Sequence, residues 1–306
     1  MNMVEPRHFA GLRGNLTLDA PLARYTSWRA GGCDRSSRSA GTYAMSAQPP
    51  ARQLPIFEAV TVLGLGSNVL VRDGGVRGAV ILMHNPGGAL AVADGLIYAD
   101  AGVACPKLAR FIARLGCAGA EFLAGVPGTV GGALAMNAGC YGAETWPHVA
   151  KVELLLRDGN FTVRTPADYA IGYRSVRRAD GRATEGIFTA AWFRFPPGDG
   201  ETSRLRMREL LARRIATQPL NLPNAGSVFR NPPGDHAARL IEAAGLKGLA
   251  VGGARVSEKH ANFIVNAQRL AKAADIEALI EQVRVTVEKI HGIKLHTEVR
   301  IVGDAA

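Results

Sequence analysis

Residues 122–142 read FLAGVPGTVGGALAMNAGCYG, a glycine-rich run that largely decides how the first half of the chain is interpreted. A second glycine turn, GLGSN at 64–68, directly follows the strand-like VTVL at 60–63. Glycine lets main-chain amides come close to phosphate oxygens, because no Cβ intervenes. Neither run is a Rossmann fingerprint, which needs a third glycine, or a P-loop, which needs Gly-Lys-Ser/Thr. Each run alone is as typical of a packing turn, but the two together favour a nucleotide or dinucleotide ligand.

The candidate residues for that ligand combine open backbone with a few polar side chains. Ser67, Thr129 and Asn137 are expected to add side-chain hydrogen bonds to those of the main chain. The full predicted set is Gly64, Gly66, Ser67, Asn68, Gly125, Gly128, Thr129, Gly131, Gly132 and Asn137.

The composition is that of a globular protein with room for two or three domains. The 306 residues are 47% apolar and 20% charged, which is ordinary for a chain that folds around apolar cores. The formal net charge of +10 fits three interpretations. These are nucleic-acid binding, a small polyanionic ligand, or a surface that uses arginine for solvation.

The cysteines indicate reduced thiols. Cys33, Cys105, Cys117 and Cys140 contain no CxxC pair, and their spacing suits neither zinc nor a disulfide framework. We therefore expect no metal site and a cytoplasmic location. The first residues, MNMVEPRHFAGLRG, lack the apolar stretch of a secretory signal, and no run of 18 uncharged apolar residues predicts a membrane span.

The first two thirds of the chain predict a strand-rich lobe. β-Branched runs between glycine turns are typical of strands, and apolar residues at helical spacing that end at a glycine are typical of a helix. An Asp-Gly pair between two strand-like runs predicts a hairpin. The predicted elements are strands within 56–83, a helix over 103–117, a hairpin at 149–165 around Asp158-Gly159, and a strand at 186–195.

The chain changes character after PPGDGE at 196–201, which has the composition of a linker. We therefore predict two lobes, 18–200 and 203–303, of which the second is smaller and α+β. No internal repeat is found. The predicted elements of the second lobe are a basic helix at 203–215, a helix at 235–244 with Asp235 as N-cap, a strand at 260–266, a helix whose apolar stripe runs from Ile276 to Ile290, and a strand at 295–302. The strand at 260–266 is predicted to have an apolar face and a polar face, the latter formed by His260, Asn262 and Asn266.

The stretch NAGSVFRNP, residues 224–232, presents a serine after a glycine. It is not a nucleophile elbow, which needs G-x-S-x-G together with a histidine and an acid. Here Val228 and Phe229 follow Ser227 instead. Taken alone, the serine is explained as well by a turn after Gly226.

Long motifs in a fixed order carry a family resemblance. They are GLGSNVLVRDGG, AGVPGTVGGALAMNAGCYG, GYR at 172–174, NAGSVFRNP, AGLKG, VSEKHANFIVN and TEVRIVG. Over about residues 20–30 and 56–303 the chain resembles the UDP-N-acetylenolpyruvoylglucosamine reductases, the MurB family. The chain has no inserted segment between GYR and AGSVF, and in this respect it resembles the shorter subclass of that family.

The resemblance implies both fold and reaction. The fold would be α+β, with a two-part FAD-binding lobe of the vanillyl-alcohol-oxidase (PCMH) type and a smaller C-terminal substrate lobe. The enzyme would be an FAD-dependent UDP-N-acetylmuramate dehydrogenase of peptidoglycan precursor synthesis. NADPH would reduce FAD, and the flavin N5 hydride would then pass to the enolpyruvyl group of the UDP-sugar. The resemblance also implies a monomer without nucleic-acid or membrane partners.

The same resemblance assigns residue roles. Ser227 would donate the proton that completes the reduction, while Arg174 and Glu298 would stabilise the enolate. A fixed cation beside a developing enolate lowers the barrier by preorganised electrostatics. Without the family motifs, these residues are explained as a turn, a basic loop and an exposed strand position. The residues expected to hold substrate are Tyr173, Asn231, His260 and Asn262.

Residues 33–55, CDRSSRSAGTYAMSAQPPARQLP, depart from the family. The family has a strand and an amphipathic helix here, whereas this segment has neither period and places two prolines where the helix would be. We hypothesise two compensating frameshifts in the gene or its sequencing, because the motifs on both sides are intact. Resequencing tests this, and the hypothesis fails if neither alternative frame encodes a strand and helix. A genuine segment predicts poorer FAD retention.

Three alternative functions stay open from the sequence. An FAD oxidase of the same superfamily is disfavoured by the AGSVF block and Glu298, which belong to the second lobe of the reductase. Arginine clusters at 174–182 and 204–214 suggest a nucleic-acid-binding protein, but aromatic residues make up only 6% and do not alternate with arginine. The third alternative is a flavin-deficient, inactive homologue, motivated by residues 33–55.

Overall fold

The computed structural model describes residues 14–17, 19–32, 42–47, 60–182 and 186–306. The chain divides into two compact units, each built from several segments. Among the described residues, no helix has both the length and the apolar composition needed to cross a bilayer. The first unit comprises Met1–Leu16, Ala44–Leu65 and Val80–Arg214, and the second comprises Thr17–Tyr43, Gly66–Ala79 and Ile215–Ala306.

The described part of the chain contains five α-helices and eighteen strands. The helices are α1 (Cys105–Arg114), α2 (Val130–Met136), α3 (Gly200–Thr217), α4 (Ala237–Ala243) and α5 (Ala273–His291). The strands are β1 (Gly14–Thr17), β2 (Thr42–Ala47), β3 (Val60–Leu63), β4 (Val69–Val71), β5 (Gly78–Leu82), β6 (Leu90–Ala93), β7 (Leu96–Asp100), β8 (Gly139–Cys140), β9 (Ala143–Glu144), β10 (Val149–Leu155), β11 (Phe161–Arg164), β12 (Tyr169–Gly172), β13 (Ser175–Arg178), β14 (Ile187–Phe193), β15 (Ala250–Val251), β16 (Ala254–Val256), β17 (Ile264–Val265) and β18 (Arg300–Val302).

The first unit centres on a five-stranded antiparallel sheet in the order β11-β10-β14-β7-β6. A four-stranded sheet in the order β1-β2-β5-β3 accompanies it. Helix α1 buries Leu108 and Ile112, four residues apart, on the side that packs into the core. Leu134 of α2 and Phe193 of β14 join the same cluster of buried side chains. The predicted elements over 60–195 are confirmed, including the hairpin that pairs β10 with β11.

The predicted boundary at 196–201 differs from the division in the structure. Helix α3 begins inside that stretch and belongs to the first unit as far as Arg214. The Ser203 hydroxyl donates to the Glu121 carboxylate at 2.6 Å, and Met207 is part of the first core. The linker-like composition therefore marks a turn within the first unit.

Two early segments of the chain belong to the second unit. Trp28 is fully buried there, and its indole N–H donates to the Ile264 carbonyl at 2.7 Å. Strand β4 pairs in parallel with β18, with Leu70 opposite Ile301. These long-range pairings have no local sequence period, so the prediction of one uninterrupted first lobe missed them.

Helix α5 dominates the rest of the second unit. Its buried stripe includes Ile276, Leu279 and Val283, as predicted, but Ile290 is 54% exposed. The Asp73 carboxylate accepts hydrogen bonds from the first two main-chain amides of the helix, both at 2.9 Å. Such a carboxylate satisfies donors that have no partner inside the helix. A three-stranded sheet in the order β15-β16-β17 completes the unit.

Three predicted elements of the second lobe are corrected. The strand expected at 260–266 is only β17, and the one at 295–302 is only β18. The predicted polar face at 260–266 does not exist, because Asn262 and Asn266 are as buried as their apolar neighbours. Helix α4 has His236, not Asp235, at its N-cap.

Strand β2 lies within the segment for which the sequence predicted no regular element. Thr42–Ala47 is placed between β1 and β5 in the four-stranded sheet. Main-chain pairing with neighbouring strands supports a strand whose sequence has no clear period. The other residues of 33–55 lie outside the described residues.

Candidate functional site

Two of the predicted glycine loops contact each other in the first unit. A Cβ on Gly64 would lie 2.5 Å from Thr129 Oγ1, and one on Gly131 would lie 3.0 Å from the Cβ of Ala101. Real Cβ contacts are longer than the first of these distances, so only glycine permits the approach at position 64. Backbone packed this closely forms a cradle between the two loops, and its use in holding a phosphate-bearing dinucleotide stays a prediction.

The amides at the start of α2 are already hydrogen-bonded within the protein. The N–H of Val130 donates to the Val103 carbonyl and that of Gly131 to the Ala101 carbonyl, both at 2.8 Å. Thr129 caps the helix, since its Oγ1 accepts from the Gly132 N–H at 3.3 Å. These glycines therefore serve close packing and rigidity, and cofactor contact by this loop stays a prediction.

The Gly66–Asn68 turn belongs to the second unit. Gly66 has φ +60°, and a Cβ there would lie 2.0 Å from the Tyr25 carbonyl oxygen. The Asn68 side chain donates to the Glu298 carbonyl at 3.1 Å, and the Asn68 carbonyl accepts from the Arg300 N–H at 3.0 Å. The turn with Ser67 is thus tied to the segment that carries the predicted acid.

Arg174 lies in the two-residue turn that joins β12 to β13. Its φ of +53° is in the left-handed region that residues with a Cβ rarely adopt. The guanidinium donates to the Gly139 carbonyl at 3.0 Å and to the Asn137 carbonyl at 3.4 Å. The ring of its neighbour Tyr173, which is 47% exposed, lies 5.2 Å from the guanidinium carbon. The turn therefore holds the arginine in one orientation.

Asn137 connects several parts of this region. It is fully buried and has φ +46° at the C-cap of α2. Its Nδ2 donates to Glu144 at 2.7 Å and to the Gly172 carbonyl at 3.2 Å, while its Oδ1 accepts from the Trp146 N–H at 3.1 Å. Glu144 was not among the residues predicted from the sequence, and no motif pointed to it. Cofactor binding by the Asn137 side chain stays a prediction.

Gly125 lies beside a cluster of larger side chains. A Cβ on Gly125 would lie 2.5 Å from the Tyr141 ring and 2.8 Å from Cys140 Sγ. Arg214 donates to the Gly125 carbonyl. Burial raises the pKa of the Cys140 thiol, and the nearby Arg214 opposes that shift. Burial also raises the pKa of Tyr141 to about 12, and its hydroxyl donates to the Leu210 carbonyl at 2.8 Å.

Ser227 follows a turn that Asn224 stabilises. The Gly226 N–H donates to Asn224 Oδ1 at 2.9 Å, and Gly226 itself has φ +74°. The Asn224 Nδ2 donates to the Leu222 carbonyl at 2.7 Å. The sequence analysis missed Asn224, although an asparagine two residues before a glycine is typical of such a turn.

The chain after Ser227 is held from two sides within the second unit. The Val228 N–H donates to the Asn262 carbonyl at 2.9 Å, and the Val228 carbonyl accepts from the Glu298 N–H at 2.8 Å. Phe229 is also bound by the Asn262 side chain. The structure thus brings together the backbones of Ser227 and Glu298.

Two other predicted substrate residues have structural contacts of their own. Asn231 Oδ1 accepts from the Ala237 N–H at 3.1 Å, at the start of α4. The Asn262 N–H donates to His260 Nδ1 at 3.3 Å. Burial, followed by the nearby Lys247 cation, lowers the pKa of His260 and favours its neutral form. Substrate contacts of Tyr173, Asn231, His260 and Asn262 remain predictions.

Two family models match the chain. Residues 58–164 match an FAD binding domain. Residues 218–302 match the C-terminal domain of UDP-N-acetylenolpyruvoylglucosamine reductase. Their order along the chain agrees with the predicted order of the two lobes.

Curated relatives and a solved structure match over nearly the full length. UDP-N-acetylenolpyruvoylglucosamine reductases from Nitrosospira multiformis and Thiobacillus denitrificans are each 52% identical, over 97% and 96% of this chain and 91% and 94% of theirs. The crystal structure of the reductase from Thermus caldophilus matches with a TM-score of 0.77 and 33% identity, over 94% of this chain and 100% of that one. These matches confirm the predicted fold class.

Proposed function

Because the chain belongs to the UDP-N-acetylenolpyruvoylglucosamine reductase (MurB) family, we propose that Ser227, Arg174 and Glu298 act together in its reaction. The family activity is that of an FAD-dependent UDP-N-acetylmuramate dehydrogenase of peptidoglycan precursor synthesis, and it is the activity of this chain. The proposed substrates are NADPH and the enolpyruvyl ether of a UDP-sugar. A cytoplasmic monomer is part of the proposal, and light scattering of the purified protein tests the monomer.

The chemistry makes two demands on the protein. When bound, FAD would supply the hydride that reduces the enolpyruvyl group. Hydride addition to the terminal vinyl carbon leaves negative charge on the neighbouring carbon, shared with the substrate carboxylate. The chain must stabilise that charge and deliver a proton to that carbon.

In this proposal Arg174 stabilises the negative charge. Its hydrogen bonds to the Asn137 and Gly139 carbonyls orient the guanidinium. A charge oriented before the reaction needs no reorganisation when the enolate forms. Glu298 acts on the same enolate in this proposal.

Ser227 delivers the proton in this proposal. A serine hydroxyl is a weak acid, so its proton must move as the negative charge develops on the substrate carbon. The observation that carries this assignment is the 2.8 Å hydrogen bond from the Glu298 N–H to the Val228 carbonyl. This bond joins Val228, the residue after Ser227, to Glu298, and so supports a joint role of Ser227 and Glu298 in the reaction.

The visible absorption spectrum of the purified protein tests this function. Flavin bands should bleach with anaerobic NADPH and return when the enolpyruvyl substrate is added. In Ser227→Ala the return should be slower by about 10²- to 10⁴-fold. Thr286→Ala, which removes a hydroxyl bonded to the Gln282 carbonyl in α5, is the control and should behave as wild type.

Two results would contradict the proposal. Absence of flavin, even after addition of FAD, would indicate an inactive homologue. A normal return of the flavin bands in Ser227→Ala would leave the family activity in place but remove Ser227 as the proton donor.

A further inference from the structure

The hydrogen bonds of Asn137 reach both ends of the arginine turn. Its side-chain Nδ2 donates to the carbonyl of Gly172, the residue that begins the turn, at 3.2 Å. Its main-chain carbonyl accepts from the guanidinium of Arg174 at 3.4 Å. Gly172 pairs with Ser175 across the turn, so the first bond fixes the backbone that presents the arginine and the second fixes its charged end.

The same side chain is anchored on its other side. Glu144 accepts from Nδ2 at 2.7 Å, and the Trp146 N–H donates to Oδ1 at 3.1 Å. The Trp146 indole in turn donates to the Leu134 carbonyl of α2 at 2.8 Å. The helix that follows the glycine-rich loop and the turn that carries Arg174 are therefore held in one hydrogen-bond network within the first unit.

The backbone conformation restricts which residue can do this. Asn137 has φ +46° and ψ +55°, which glycine, asparagine and aspartate adopt more readily than other residues. Glycine has no side chain to bridge the two elements. Aspartate when ionised only accepts hydrogen bonds, whereas the asparagine amide both donates and accepts. Asparagine alone among the three satisfies Glu144, Gly172 and Trp146 at once.

We propose that Asn137 is a positioning residue for Arg174, and that it acts through the bond to Gly172. The inference rests on the proposed function, because Arg174 acts on the enolate there. Asn137 is fully buried, and its side chain reaches protein partners on both sides. A positioning role of this kind predicts a larger effect on the reduction of the UDP-sugar than on the reduction of the flavin by NADPH.

The first variant is Asn137→Asp. It retains the left-handed backbone and the acceptor for Trp146, but removes the donor to Gly172 and sets a second carboxylate against Glu144. We expect the return of the flavin bands with substrate to slow by at least about tenfold more than their bleaching with NADPH. Asn160→Asp, an exposed turn position bonded to Asp158, is the control and should show wild-type rates for both steps.

A double variant separates positioning from general stability. Asn137→Asp/Glu144→Gln restores an amide–carboxylate hydrogen bond between the two positions with donor and acceptor exchanged. The Gly172 carbonyl still faces a carboxylate in this variant. We expect the midpoint of thermal unfolding to return towards wild type while the substrate step remains slow. Recovery of the substrate step together with the midpoint would overturn the proposal, because the role of Asn137 would then be structural only.

Arg174→Lys distinguishes failure of this inference from failure of the proposed function. If the substrate step of Arg174→Lys has the wild-type rate, Arg174 does not act in the proposed reaction. The positioning role of Asn137 would then be overturned as well. A slow step in Arg174→Lys combined with a normal step in Asn137→Asp would overturn the positioning role alone. Slow substrate steps in both variants, with a smaller change in bleaching by NADPH in Asn137→Asp, are the expected result.

Discussion

Asn262 and Phe229 exchange two hydrogen bonds. The Phe229 N–H donates to Asn262 Oδ1 at 2.9 Å, and Asn262 Nδ2 donates to the Phe229 carbonyl at 2.8 Å. Both residues are buried, so the side-chain amide takes the place that a neighbouring strand would otherwise occupy. Ser227 lies two residues before Phe229, and the bonds hold the chain that presents its hydroxyl.

Removal of this amide should destabilise the second unit. Asn262→Ala leaves the buried N–H and carbonyl of Phe229 without these partners, and we expect the free energy of unfolding to fall by about 2–4 kcal/mol. A urea titration measures it. Asn160→Ala, at an exposed turn, should change it by less than about 0.5 kcal/mol. Equal stabilities for the two variants would mean that another group satisfies Phe229.

Two glycines allow the position of Ser227 to be tested apart from stability. Gly226 and Gly234 both have φ +74°, and a Cβ on either would meet no atom within 4 Å. Alanine at either site should cost about 1 kcal/mol of stability for the left-handed backbone. Stopped-flow absorbance should show a slower substrate step only in Gly226→Ala. Equal substrate steps in the two variants would show that the Gly226 turn does not position Ser227.

Disturbing the contact between the two glycine loops should lower the retention of the cofactor. Gly64→Ala would set a Cβ 2.5 Å from Thr129 Oγ1, whereas the nearest atom to a Cβ at Gly87 is Asn85 Oδ1 at 3.5 Å. We expect a lower ratio of flavin to protein after purification in Gly64→Ala and an unchanged ratio in Gly87→Ala. The absorbance ratio of flavin to protein measures it. Full retention by Gly64→Ala would show that the cradle tolerates the added methyl group.

Stability should decrease in mild acid because of two partly buried histidines, His148 and His260. His148 stacks with Phe122 and Phe195, at centroid distances of 5.6 and 4.5 Å. Burial lowers its pKa from 6.5, and the Glu121 carboxylate opposes that shift. The unfolded state therefore binds protons more readily than the folded state, and the contribution of this group is lost as pH falls below about 6.5.

The variant that tests this is His148→Phe, which keeps an aromatic ring between the two phenylalanines. The difference in unfolding free energy between about pH 7.5 and about pH 5 should be smaller in this variant than in wild type. His260, whose pKa burial also lowers, continues to contribute in both proteins. An undiminished pH dependence in His148→Phe would show that other groups bind the protons on unfolding.

Much of the local structure follows from short sequence signals. The hairpin between β10 and β11 turns at Asp158-Gly159, and α1 follows from apolar residues at helical spacing. Both predictions were correct because hydrogen bonds between near neighbours and one apolar face determine these elements. The predicted strand at 260–266 was wrong over most of its length, since a side-chain amide replaces the strand ladder there.

The candidate site, like the fold, was predicted from the sequence only in part. Motif order in the sequence was sufficient to select Ser227, Arg174 and Glu298 as candidates. It contained no indication that Asn137 binds Glu144 and Gly172, or that Asn224 forms the turn before the serine. Those partners are set by backbone geometry that a residue pattern does not encode.

Local patterning, motif order and composition were thus enough for the family, for helices such as α1 and α5 and for the β10–β11 hairpin. Only the folded chain assigns residues 17–43 and 66–79 to the second unit. Trp28 bonds to Ile264 across 236 positions of sequence, and β4 pairs with β18 from the other end of the chain. Contacts at such separations depend on burial and on satisfying main-chain hydrogen bonds in three dimensions, and no local period records them.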